Sequence, residues 1–148
     1  MNTLQIEHLL KRDTASRSLF RKVCALDELE PPSFPSAYVI NSQTSVQPGE
    51  HWVAVYFDQN GKGEYFDSYG LPPWTIGLEP YMNQNAFRGW IFNRKTLQGL
   101  FSTACGHYCV YYLLFRCRGV PLHAIVSPFT KNLYDNDRRV IDFIYRLQ

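Results

Sequence analysis

Residues 105–118 read CGHYCVYYLLFRCR, and apolar or aromatic side chains point in nearly every direction around a helix of that length. A helix that is apolar all round cannot lie on a surface, so the rest of the chain has to wrap it. Gly119 and Pro121 follow directly and supply a stop. The uninterrupted apolar run covers only residues 109–115, far too short to cross a bilayer. The predicted helix is therefore the centre of a globular core. A chain of 148 residues with 45% hydrophobic and 19% charged side chains is suited to one such domain, residues 1–148, and not to disorder.

The flanking segments indicate the wrapping. Residues 3–11 have the spacing of an amphipathic helix, with Leu4, Ile6, Leu9 and Leu10 apolar and Asn2 or Thr3 as cap. Residues 18–29 predict a second short helix, ended by Pro31, Pro32 and Pro35. Residues 37–41 are a short strand candidate. Residues 51–57 (HWVAVYF) and 64–67 (EYFD) read as two strands, joined by a turn around Asn60-Gly61, the strongest hairpin signal present. A helix is expected over 75–87, although Gly77 and Pro80 interrupt it, then a strand over 90–97. A last amphipathic helix is expected over 135–147, with Val140, Ile141, Ile144 and Leu147 on one face. Helices, a hairpin, another strand and a buried helix in this order predict an α+β fold.

Net charge is +2, too small to imply nucleic-acid binding by itself. The densest basic stretch, Lys11, Arg12, Arg17, Arg21 and Lys22, reads as a solvated face. Three of the four cysteines, Cys105, Cys109 and Cys117, fall within 13 residues at helical spacing, and Cys24 stands apart. This is not a secreted disulfide framework. The alternating start lacks the continuous apolar stretch of a signal peptide. The expectation is a soluble, intracellular protein in a reducing compartment. Cys105, His107 and Cys109 do not make a metal site, because His107 lies on another helical face and zinc takes four convergent ligands.

Cys105 opens the buried helix, where free backbone N–H groups favour thiolate over thiol. A thiol nucleophile needs a base, and the base needs an orienting acceptor. His51 begins one strand of the hairpin and Asp67 ends the other, so both lie at the end away from the turn, where antiparallel pairing can bring them together. Gln98 precedes Cys105 by seven residues. Its side-chain amide, with the Cys105 backbone N–H, can donate to an oxyanion.

These residues carry a resemblance. His51-Trp52, then Phe66-Asp67-Ser68-Tyr69-Gly70, then Gln98-Gly99, then Ala104-Cys105-Gly106-His107-Tyr108-Cys109 resemble, in order and spacing, the adenovirus-type maturation cysteine proteases. Those are related more distantly to the ubiquitin-like-protein proteases. The resemblance covers roughly residues 38–115; residues 116–148 carry no recognised signature. It implies a papain-like active site with permuted chain order, His before Cys. It also implies a small, mostly antiparallel central sheet flanked by helices. Cys105, His51, Asp67 and Gln98 would be catalytic. Trp52 would narrow the cleft beside the histidine and favour glycine near the scissile bond, and Gly106 would leave space beside the sulfur.

By the same resemblance, the protein is a cysteine endopeptidase that cleaves viral or transposon-encoded capsid or core precursors, in the virion or at the virus assembly site. The alternative is an isopeptidase that removes ubiquitin-like modifiers. No cofactor is required by the residues themselves; DNA and an activating peptide are the activators the resemblance implies. The sequence departs from the family in two ways. Asp67 stands where adenoviral enzymes more often have Glu. Residues 25–104 contain no cysteine, so a peptide activator has no thiol there to bond.

Overall fold

The computed structural model describes residues 1–43 and 51–148. Helix α1 (Thr3–Arg12) opens the chain, held by a reciprocal capping box between Asn2 and Gln5. Strands β1 (Phe20–Ala25), β2 (Ser36–Asn41), β3 (Trp52–Phe57) and β4 (Gly63–Phe66) follow. After them come helix α2 (Glu79–Asn85), strand β5 (Trp90–Phe92), and helices α3 (Cys105–Arg116), α4 (Leu122–Val126) and α5 (Leu133–Leu147). The five strands form one sheet in sequence order. The two central pairings, β2–β3 and β3–β4, are antiparallel, and the two edge pairings are parallel. The sheet is therefore mixed, with the antiparallel pairings that the resemblance implied at its centre.

Strand β3 alternates between two cores. Ala54 and Tyr56 face α1, α3 and α5, whereas Val53, Val55 and Phe57 face α2 on the other side. Helix α3 lies across the first face, with every residue from Cys105 to Leu114 buried except His107. That is the central helix its all-round apolar composition required. Its far end is fixed by Glu64 of β4, which accepts from the Tyr112 hydroxyl at 2.6 Å and from Arg116 Nε at 3.0 Å.

Four expectations change. Residues 18–29 hold β1 and a 3-10 turn, Leu26–Glu28, in place of a helix. A register shift between Phe20 and Lys22 slips the in–out alternation by one residue. Phe20 and Val23 thereby share one core, and their spacing of three mimics a helix. The segment 75–87 is split by Gly77, whose φ of 78° ends a 3-10 turn at Pro73–Ile76. Pro80 then starts α2 and does not interrupt it. Strand β5 stops at Phe92, well before 97, because the Asn93 side chain turns to bond Asp67. Helix α4 is an element the sequence reading did not anticipate.

Candidate active site

The hairpin brings His51 and Asp67 together, but diagonally. Ala54 pairs with Phe66, and continuing that register by three residues sets Tyr69, not Asp67, opposite His51. The His51 ring accordingly stacks on Tyr69, with centroids 4.9 Å apart and planes at 27°. From there Nε2 reaches the diagonal neighbour Asp67, 2.8 Å from Oδ1. The same Oδ1 accepts the Tyr69 backbone N–H at 2.9 Å. Asp67 is itself clamped: its N–H donates to Asn93 Oδ1 at 2.9 Å, and Asn93 Nδ2 donates to its carbonyl at 2.6 Å. The turn then closes through Gly70, at φ 73°, where any Cβ would lie 2.7 Å from the Lys95 backbone.

With Nε2 committed to Asp67, the Nδ1 edge of the ring is left for Cys105. The two side chains are hydrogen-bonded, and each shifts the other. Burial alone would push the His51 imidazole down; the hydrogen bonds to Asp67 and Cys105 and their negative charges outweigh it, raising it from 6.5 to about 9. Burial alone would push the Cys105 thiol up; the His51 hydrogen bond, the Trp52 N–H, the His51 charge and the Gly106 N–H outweigh it, so the thiol falls below 9.0. The other three cysteines move the opposite way. Burial raises Cys24 and Cys117 to about 11, and Cys109 is pushed well above the usual thiol range. Among the four thiols, Cys105 alone is shifted downward, and it faces an imidazole held by a carboxylate.

Gln98 is buried in the turn before α3. Its Oε1 accepts the Ser68 hydroxyl and its Nε2 donates to the Ser102 carbonyl at 2.9 Å. One Nε2–H thus remains without a protein acceptor among the described residues. Trp52 is half-buried and presents its backbone N–H to the Cys105 sulfur. Gly106 does not leave open space. A Cβ there would meet Met1, Trp52 and Ile6 at 3.2–3.4 Å, so its missing side chain lets α1 and Trp52 close against the start of α3.

The sequence reading missed Ser68, Tyr69 and Asn93 as parts of the site, and also Asn136 and Asp137 of α5. Asn136 Nδ2 donates to the Leu97 carbonyl at 3.1 Å, and Asp137 accepts the Gly99 N–H at 3.2 Å and the Tyr108 hydroxyl at 2.7 Å. The C-terminal helix, without signature in the sequence, therefore braces the turn that carries Gln98. Four of the five residues in the basic stretch bond within the chain: Lys11 to Glu7, Arg12 to the Leu147 carbonyl, Arg21 to Ser33 and Pro35, and Lys22 to Glu30. Among the described residues, no group of three or more His, Cys, Asp or Glu side chains could hold a metal ion, and no helix is long and apolar enough to cross a membrane.

No family model matches the chain, and no curated protein matches it by sequence. Its fold does match solved structures. The ASFV pS273R protease superimposes with a TM-score of 0.63 at 19% identity, over 95% of this chain and 66% of that one. ChlaDub1 from Chlamydia trachomatis gives 0.54 at 15% identity, over 76% and 58%. The central domain of the uncharacterized Lpg1148 protein from Legionella pneumophila gives 0.52 at 15% identity, over 100% and 98%. The α+β fold, a five-stranded mixed sheet flanked by helices, is thus the fold of the pS273R protease and of ChlaDub1. The chain spans about two thirds of the pS273R protease and less of ChlaDub1.

Proposed function

We propose that the protein is a cysteine endopeptidase with Cys105 as nucleophile, His51 as proton carrier, Asp67 as orienter and Gln98 as oxyanion donor. The observation that carries this is the unbroken hydrogen-bond chain from Asp67 through His51 to the one thiol held below its ordinary pKa. The Cys105 thiolate attacks the scissile carbonyl carbon, and the C=O electrons move onto oxygen. The Cys105 N–H, one of the unpaired donors at the start of α3, and the free Nε2–H of Gln98 receive that charge. Collapse expels the amine, which takes a proton from the His51 imidazolium and leaves a thioester. His51, now neutral, removes a proton from water, and the resulting hydroxide cleaves the thioester and restores the thiolate.

The substrates are proteins: by the resemblance of the His51–Cys109 motifs, viral or transposon-encoded capsid or core precursors cut beside glycine. The segment joining Gln98 to Cys105 supports a protein substrate, since it presents Leu100 and Phe101 at 75% and 95% exposure. Phe101→Ser is expected to raise KM for a folded precursor several-fold and to leave a short glycine-containing peptide unaffected. Equal effects on both would remove that segment from substrate recognition. The reaction itself is tested with a glycine-containing peptide library and mass spectrometry of the products. A covalent adduct with a ubiquitin or SUMO aldehyde, without peptide cleavage, would favour the isopeptidase instead.

A further inference from the structure

An oxyanion glutamine works only in one orientation. Its amide is nearly symmetric in shape, but one end donates and the other accepts; turned over, or swung out of plane, it offers the oxyanion a lone pair or nothing. Two groups fix the plane here. The Ser102 carbonyl, which can only accept, holds the nitrogen end. The hydroxyl of Ser68, a fully buried residue, holds the oxygen end. The Ser68 carbonyl also accepts the backbone N–H groups of Leu97 and Gln98 at 2.9 and 3.0 Å, so one residue fixes both the main chain and the side chain of the glutamine. Ser68 lies immediately after Asp67, on the same turn that holds the His51 acceptor. Both the acid-base and the oxyanion halves of the site are therefore indexed to one dipeptide, Asp67-Ser68.

We propose that Ser68 is a positioning residue for the oxyanion donor: its hydroxyl locks the Gln98 amide in the donating orientation. The bond also draws electron density toward Oε1, which makes the free Nε2–H a stronger donor. Without the hydroxyl, the amide keeps one anchor and rotates about its last torsion, and the oxyanion loses a donor it had aligned. This inference rests on the endopeptidase reading.

The test is a double-mutant cycle of Ser68→Ala and Gln98→Ala, read as kcat and KM on a cleaved peptide, together with ¹⁵N–¹H spectra of the Gln98 side chain in the unreacted protein. Ser68→Ala alone is expected to lower kcat roughly tenfold or more, with KM within about twofold, since a fully lost oxyanion donor costs roughly a hundredfold. In the Gln98→Ala background it should change kcat by less than about twofold, because there is no amide left to position. The Gln98 side-chain NH₂ protons should exchange slowly with solvent in the wild type and faster in Ser68→Ala. Should Ser68→Ala fail to fold, Ser68→Cys keeps the volume close with a weaker donor and should give an intermediate kcat. Equal kcat losses in both backgrounds, or an unchanged kcat in Ser68→Ala, would overturn the proposal. If the wild type shows no Cys105-dependent cleavage, the endopeptidase reading fails, and the amide spectra decide separately: Gln98 protons unaffected by Ser68→Ala refute the positioning role, and faster exchange upholds it.

Discussion

Cys105→Ala is expected to abolish peptide cleavage, by roughly 10⁴-fold or more, while the protein stays folded. The size of the effect follows from the chemistry: no other group at the site can form the acyl intermediate. Retention of the fold follows from the surroundings. Cys105 sits at the first position of α3, and the sulfur's partners are the His51 side chain and the backbone N–H groups of Trp52 and Gly106, which stay in place when the sulfur is removed. Loss of one sulfur there removes far less contact than loss of a core aromatic would. The same variant identifies the thiolate. Iodoacetamide at neutral pH should add one group to the wild type, at Cys105, and react much more slowly with Cys105→Ala. The buried Cys24 and Cys109 and the half-buried Cys117 remain protonated at that pH. Cleavage at the wild-type rate by a clean preparation of the variant, or alkylation at another cysteine first, would refute the assignment.

What the sequence made legible was local or periodic. Asn60-Gly61 marks the hairpin, and in the structure Asp58 Oδ1 accepts from both the Asn60 and Lys62 N–H groups to set the turn. Its open end then gathers His51 and Asp67 whatever lies elsewhere. The buried helix was legible because no periodic polar face appears along it, and the cysteine at its first turn stood out once His51, Asp67 and Gln98 were read with it. Strand β1 was not legible, because its bulge turned a period of two into a spacing of three. The sheet's parallel edges were not legible either, since parallel pairing is set by distant segments and leaves no hairpin signal between them.

The supporting residues of the site escaped for a related reason. Ser68 bonds Gln98 across 30 positions, Asn93 bonds Asp67 across 26, and Asp137 bonds Gly99 across 38. Ser68 and Asn93 are short polar residues just past strand ends and read locally as turn chemistry, and Asp137 reads as part of the acidic start of α5. Only tertiary contact converts them into braces. One hint was available for Asp67-Ser68: two consecutive small polar residues directly follow the aromatic pair Tyr65-Phe66, and in the structure both are buried, which such residues tolerate only with partners. Gly106 went the other way. Its position beside the nucleophile suggested room for substrate, but the room is filled by Met1, Trp52 and Ile6.

His51→Ala is expected to cost nearly all turnover and also to change the nucleophile, which a simple loss of a proton carrier would not. With the imidazole gone, burial still raises the Cys105 thiol, and only the Trp52 and Gly106 N–H groups remain to oppose it. The half-point of alkylation against pH should move upward, so the rate at pH 7 falls. The wild type should keep reacting at pH values below 9.0 and lose reactivity as pH falls through the lowered Cys105 value. Stability carries the opposite signature from the two groups. The raised His51 pKa contributes stability that is fully present below pH 6.5 and is lost as pH rises through about 9. The lowered Cys105 pKa contributes stability that is present above 9.0 and lost as pH falls through its folded value. The part of the wild-type melting advantage over His51→Ala that comes from the raised His51 pKa should therefore shrink as pH rises through about 9. Asp67→Ala should lose less turnover than His51→Ala, because the Tyr69 stack still holds the ring; Asp67→Asn should lose less again, since its carbonyl can accept from Nε2. An Asp67→Asn variant as inactive as His51→Ala would mean that the carboxylate charge, and not the orientation it imposes, sustains the thiolate–imidazolium pair.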